Sequence, residues 1–415
     1  MSMVATSTPL AHDHHHRAKS LAAAYLLAFV LVGYPAIALI SSAFNWNSVA
    51  TSVPFRIAVI ALSLWLIANT SNQQPYRGGR WLFSLGLVYL LRLVWDTWVA
   101  GIPGAQEALI FYVATVLIPA IALWRSAHYL SEGHAIRLLF NIGSLICLSA
   151  IGFHVFDIGQ DRSLTEATGR LSFESLNPIS LGHVAATTLI AGLCAVRFGL
   201  RMGEGPWLLL GSIGAGSALT LSASRGPLLS LALASLVYAI ATKRWHWLFL
   251  MSLLIVGLLA DADSGLMQRI FETQEDTSTL ERLVLQTNAF SQFLAAPVLG
   301  NAFTELELLT YPHNLFIETA MSMGAVGLVL LFLTLTALMR AGSRQLRQRR
   351  VFIFLLLTQY FIAAQLSGAL FGNSALVACV VLVIARRLPS TLPKRHARRR
   401  MKAAEISNTG PLVRP

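Results

Sequence analysis

"LAAAYLLAFVLVGYPAIALISSA", residues 21–43, is an unbroken apolar run without one charged side chain. As a helix it reaches across the ~30 Å hydrocarbon core of a bilayer. The twenty residues before it are polar, and no small-residue cleavage site closes the run, so it reads as a retained membrane span and not as a signal peptide. Working outward, comparable runs recur at about 54–70, 81–100, 108–124, 138–156, 178–199, 206–222, 226–241, 245–261, 315–339, 351–370 and 373–386. Several are short or interrupted by Gly and Pro, so eleven spans is the alternative to twelve. The 415 residues are 55% hydrophobic and 12% charged, with a mean hydropathy of +0.63. A soluble domain carries roughly twice that charge fraction. The expected fold is all-α: a polytopic integral membrane protein of about 12 transmembrane helices.

The net charge of +12 belongs to one membrane face and not to a nucleic-acid surface. Threading the twelve spans puts 24 of the 31 Lys and Arg on the face that holds both termini, 5 on the other, and 2 (Arg56, Arg92) within spans. Lys and Arg gather in cytoplasmic loops, so both ends are expected in the cytoplasm. The chain then divides into an N-terminal tail (1–20), spans one to nine (21–261), a large outer loop (262–314), spans ten to twelve (315–386) and a basic C-terminal tail (387–415). The "HDHHH" at 12–16 reads as a solvated tail. Cys147, Cys194 and Cys379 all lie within apolar runs and imply no disulfide framework.

The outer loop is too long for a connector and too short for a domain with its own core. "STLE" (278–281) fits a helix-capping box, and Leu280, Leu283, Val284, Thr287 and Leu294 follow helical spacing. Such an amphipathic segment either lies on the membrane or roofs a cavity between spans. A smaller outer loop, 157–177, carries Asp157, Asp161, Arg162, Glu166, Arg170 and Glu174. No internal repeat is visible, which weighs against a transporter built from duplicated halves.

Three outer-face basic residues are candidates for chemistry. Arg225 ("SASRGPLLS") sits in a tight turn between two apolar spans, followed by Gly226 and Pro227, close to a helix start whose free N–H groups favour anions. Arg282 lies in "LERLVLQ", and His313 opens the run "HNLFIETAMSMGAVG". Two guanidiniums converging on one site suit a diphosphate through paired hydrogen bonds. Each also has an ordinary reading: an arginine reaching for lipid headgroups, a pair with Glu281, a structural histidine at a span boundary. Arg92 and Asp96 share a helix face within span three and read first as a mutual ion pair, second as a substrate contact. "DAD" (261–263) is too short a pattern to assign a metal.

Taken in order, these segments resemble the bacterial O-antigen ligase and polymerase superfamily. "SASRGPLL" is similar to its Ser-Arg-Gly motif, and "ERLVLQTNAFSQFLAAPVLGNAF" to its Arg-containing stretch ending in Pro-x-x-Gly. "HNLFIETAMSMGAVG" looks like its His-Asn motif followed by Gly-x-x-Gly, and "LNPISLG" (176–182) like its Asn-Pro element. The resemblance implies a GT-C-like glycosyltransferase in the inner membrane of a Gram-negative bacterium, with a periplasmic site and neither metal nor cofactor. It implies transfer of O-antigen from undecaprenyl diphosphate to a lipid A–core hydroxyl, with inversion. Catalytic roles fall to His313, Arg225 and Arg282, and substrate binding to both arginines with Asn314, Asn177, Arg170 and Arg92. The partners are those two lipid-linked substrates and membrane lipids, with no nucleic acid. Ten residues separate Arg282 from Phe293, where the polymerase pattern has Gly, which favours a ligase. The alternatives are a polymerase, a protein O-oligosaccharyltransferase (whose extra soluble C-terminal domain is not seen here) and, less favoured, a transporter.

Overall fold

The computed structural model describes residues 9–70, 78–163, 165, 170–197, 204–246, 277–348 and 350–385. Among these the chain is helical, with a single isolated bridge between Gln160 and Phe173. Helix α1 (Pro9–Ala28) passes through a π turn (Phe29–Gly33) into α2 (Tyr34–Ala43). Next come α3 (Ser48–Asn69) and α4 (Gly79–Trp98). Helix α5 (Ala105–Phe111) then passes through a second π turn (Tyr112–Leu117) into α6 (Ile118–Ser126). Each π turn stands just before a proline, Pro35 or Pro119, whose missing N–H and ring disrupt regular helical bonding. Then follow α7 (Glu132–Val155), α8 (Pro178–Arg197), α9 (Gly205–Leu221), α10 (Arg225–Thr242), α11 (Thr277–Ala295), α12 (Leu315–Arg347), α13 (Phe352–Leu366) and α14 (Ser374–Ala385).

A helix stands at every expected span position except 245–261, of which 247–261 lies outside the described residues, as do 262–276 and the tail from 386. Seven segments are long and apolar enough to cross a membrane, while Gly205–Leu221, Phe352–Leu366 and Ser374–Ala385 are apolar but shorter. The surface agrees with a lipid solvent. Ile57, Leu64, Leu87, Leu91, Leu209, Ile213, Val329 and Phe332 are all exposed, a perimeter that water would not tolerate on so many helices. Inside, small residues bring α7, α8 and α9 together. A Cβ at Gly143 would run into Thr188, one at Gly192 into Phe140, and one at Gly214 into Leu148, the close packing typical of membrane helices.

The feature that shapes the site is a break in α12. Gly324 has φ +61° and ψ −153°, a conformation open essentially to glycine alone. The break frees backbone groups, and the turn Pro297–Gly300 satisfies them. Asn301 N–H donates to the Met321 carbonyl (2.8 Å), Ala325 N–H to Pro297 (2.8 Å) and Val326 N–H to Val298 (3.3 Å). A Cβ on Gly324 would fall on the Val298 carbonyl, and one on Gly300 (φ +73°) on the Ser322–Met323 peptide. The Pro-x-x-Gly and Gly-x-x-Gly segments are therefore two halves of one backbone-to-backbone joint. Arg92 and Asp96 of α4 clamp its other side. Arg92 Nη1 donates to the carbonyls of Gly300 (3.2 Å) and Asn301 (2.8 Å), its Nε faces Asp96 Oδ1 at 3.2 Å, and Asp96 Oδ2 accepts from Phe303 N–H (2.8 Å).

Candidate active site

The joint carries α11 on one side and the 301–314 segment on the other, and the two are laced together. Gln292 donates from Nε2 to the Thr304 carbonyl (3.1 Å) and accepts from Leu306 N–H (3.2 Å), while Asn288 donates to Glu307 Oε2 (2.9 Å). The buried carboxylate of Glu305 accepts from the N–H groups of Glu307 and Leu308, both at 2.7 Å, and so folds the loop on itself. This fixes where the loop returns to α12. Pro312 is buried, His313 takes φ +54°, and Asn314 caps the helix by accepting from Phe316 N–H (3.0 Å) and Ile317 N–H (3.1 Å).

His313 is half-buried, with the ring of Tyr311 edge-on at 4.5 Å between centroids. Its Nδ1 is enclosed and has no hydrogen-bond partner among the described residues. Burial, and then the charge of Arg282, push the imidazole down from its ordinary 6.5 to about 4. The ring is neutral at pH 7, with a lone pair available. Arg282 is thus close enough to act electrostatically on His313 and on Tyr311, although thirty residues separate them in sequence.

Arg225 stands in a second group at a helix start. The turn before it has Ala223 at φ +41°, and Ser224 occupies the N-cap position of α10. Arg170 braces this turn, donating from Nε to the Ser222 carbonyl (3.2 Å) and from Nη2 to Ser224 Oγ (3.3 Å), beside the Leu171 N–H bond to the Leu221 carbonyl (2.8 Å). Asn177 caps α8 by accepting from Ser180 N–H at 2.7 Å. Its helix approaches the same turn, where Gly182 packs against Pro227 and Ser222.

The seven candidates therefore sort into three places. His313, Asn314 and Arg282 come together, Arg225, Arg170 and Asn177 come together, and Arg92 is engaged by the joint. The end of α13 and the connection that follows it border the first two groups: Leu366 lies beside Gly226, and Phe371 lies against Tyr311 at 6.2 Å between ring centroids. Asp261 and Asp263 lie outside the described residues.

Two participants were not singled out from the sequence. Glu318 is buried in the first turn of α12, and its Oε1 accepts from Leu370 N–H (2.8 Å), holding that connection against the His313 helix. The signal was present, since Glu318 is the one ionisable side chain in the 315–339 run. Tyr311 gave no such signal, because its value lies in contacts with Phe371 and His313 that only the fold creates.

No curated protein matches this chain. Residues 210–332, which hold Arg225, Arg282, the Gly300–Gly324 joint and His313, match the family model described as O-antigen ligase. Over that stretch, the chain is similar to the O-antigen ligase and polymerase superfamily.

Proposed function

We propose that the protein is an O-antigen ligase, transferring the glycan of an undecaprenyl diphosphate donor to a sugar hydroxyl of lipid A–core on the periplasmic face. The observation that carries this reading is the pairing of Arg282 with a neutral His313 at the mouth of α12. In the reaction the bond between the anomeric carbon and the diphosphate oxygen breaks as the acceptor oxygen bonds to that carbon from the opposite side. The configuration inverts, and undecaprenyl diphosphate leaves with the electron pair. Arg282 and Arg225 stabilise the charge that builds on the diphosphate, and His313 takes the acceptor proton.

The electrostatics add a sequence of events. Burial, with the charge of Arg282 added to it, holds the imidazole at about 4 in the free protein, which makes it a weak base. A diphosphate bound to Arg282 offsets that charge and relieves the smaller part of the depression, the part due to Arg282, so the base gains strength when the donor is in place. Arg170 acts through Arg225 by fixing its turn, and Asn314 acts through His313 by fixing the start of its helix. Arg92 acts at a greater remove, by holding the joint.

The test that separates ligase from polymerase is the lipopolysaccharide of a deletion strain, run beside its lipid-linked glycans. A ligase defect leaves unsubstituted core with full-length polymer held on the carrier. Core bearing a single repeat would instead make the protein a polymerase, and unchanged lipopolysaccharide would dismiss both.

A further inference from the structure

The stripe Leu280, Leu283, Val284 and Leu294 does not pack into the protein. All four side chains are at least half exposed, and so is Phe290. The packed face of α11 is the narrower one of Leu285 and Ala289, with Asn288 and Gln292 beside it. The exposed stripe runs on into the joint, where Val298 and Leu299 are 64% and 68% exposed, the most open apolar side chains of the segment.

The depth of that turn comes from the helices it grips. Trp95 and Trp98 are exposed at the outer end of α4, and exposed tryptophans mark the membrane interface. Arg92, which binds Gly300 and Asn301, lies six residues inward from Trp98, about 9 Å at a rise of about 1.5 Å per residue. Helix α12 gives an independent measure. Its basic end begins at Arg340, and about twenty residues span the hydrocarbon core, so the outer boundary falls near Ala320. Gly324, against which Val298 and Gly300 pack, is then about 6 Å inside. The two estimates agree.

We infer that the Ala296–Asn301 turn is re-entrant, dipping into the outer leaflet between α4 and α12, and that Leu294, Val298 and Leu299 face lipid acyl chains as one surface with the stripe of α11. Irregular backbone survives at such depth only where protein satisfies its polar groups. Arg92, Met321, Ala325 and Val326 do that here. The occupant is the bilayer, because the surface is continuous with Val326 and Val329 on the exposed flank of α12. On the ligase reading, this seating sets the height of Arg282 against the headgroup layer, where a lipid-linked diphosphate lies.

The test is nitroxide labelling of Leu294→Cys and Leu299→Cys, with Cys147, Cys194 and Cys379 replaced by alanine, in nanodiscs of phosphatidylethanolamine and phosphatidylglycerol. Collision with oxygen is compared with collision with a water-soluble nickel chelate. Val329→Cys is the lipid reference and Glu307→Cys the aqueous one. The expected oxygen-to-nickel ratio at 294 and 299 matches that at 329 and exceeds that at 307 severalfold. A ratio like that of 307 would overturn the proposal. So would a label reached by neither reagent, which would mean that the chain covers this face itself. A lipid-like ratio that emerges only on adding undecaprenyl phosphate would assign the surface to the carrier tail and also overturn it. The readout needs no glycan transfer, so it stands or falls separately from the ligase reading.

Discussion

His313 sits at φ +54°, where an L side chain is strained by about 1–2 kcal/mol. The residue is held there by a buried proline before it and a helix cap after it, and such strain collects at functional sites. Glycine suits this backbone better than alanine, which separates two roles that a single substitution confounds. His313→Gly is expected to melt no lower than His313→Ala, while both lose about two to four orders of magnitude in transfer rate. A rate rescued in the glycine variant would make the histidine structural.

The depressed imidazole also has a pH signature. Its folded value, about 4, lies below the ordinary 6.5, so between those limits the unfolded chain binds more protons and stability falls as pH drops through that window. Melting of the wild type from pH 7 to pH 4.5 should therefore decline more steeply than that of His313→Gly. Kinetically, the acid limb should lie at lower pH in kcat/KM for donor than in kcat, because bound diphosphate offsets Arg282. Coincident limbs would separate Arg282 from the donor. Lysine tests both arginines, since it keeps charge and loses the planar fork. Arg225→Lys and Arg282→Lys should accumulate normally and transfer poorly, with the donor KM raised. Full transfer by either would assign that arginine to headgroups.

At the scale of elements, the joint between the Pro297–Gly300 turn and the Gly324 break carries the architecture of the site. A side chain at Gly324 meets both a forbidden conformation and the Val298 carbonyl, so Gly324→Ala should destabilise by on the order of 3 kcal/mol, read as loss of folded protein on mild heating in detergent. An unchanged melting temperature would refute the joint. Gly-x-x-Gly spacing was visible in the sequence, but its partner was not, because pairing residues 297–301 with 321–326 is a long-range fact. The α11 stripe teaches a related lesson. Periodicity located the helix and its apolar face correctly, while helical spacing alone is silent on whether such a face meets protein or lipid. Asn177 and Asn314, expected as substrate contacts, each also cap a helix, a role that Asn before a helix announces on its own.

For the whole molecule, helix positions followed from apolar runs because the bilayer enforces a minimum length, and the described helices fall where those runs predicted. The grouping of Arg282 with His313, and of Arg170 with the Arg225 turn, needed the folded chain. Sidedness rests on the distribution of Lys and Arg and has its own check. Ser163→Cys and Glu307→Cys should react with a membrane-impermeant thiol reagent in spheroplasts, and Gln348→Cys should not, against a background of three buried native cysteines. Labelling at 348 alone would turn the protein over.

The most direct measurement of the central claim uses purified protein in nanodiscs, an undecaprenyl diphosphate-linked glycan, lipid A–core and excess EDTA. Donor binding and single-turnover transfer are followed separately for wild type and His313→Ala. The account predicts inverted glycosyl linkage to core and release of undecaprenyl diphosphate by the wild type. In the variant it predicts donor affinity nearly unchanged and transfer lowered by about two to four orders of magnitude. Turnover that survives in a well-folded His313→Ala, or a defect explained wholly by lost donor binding, would contradict it.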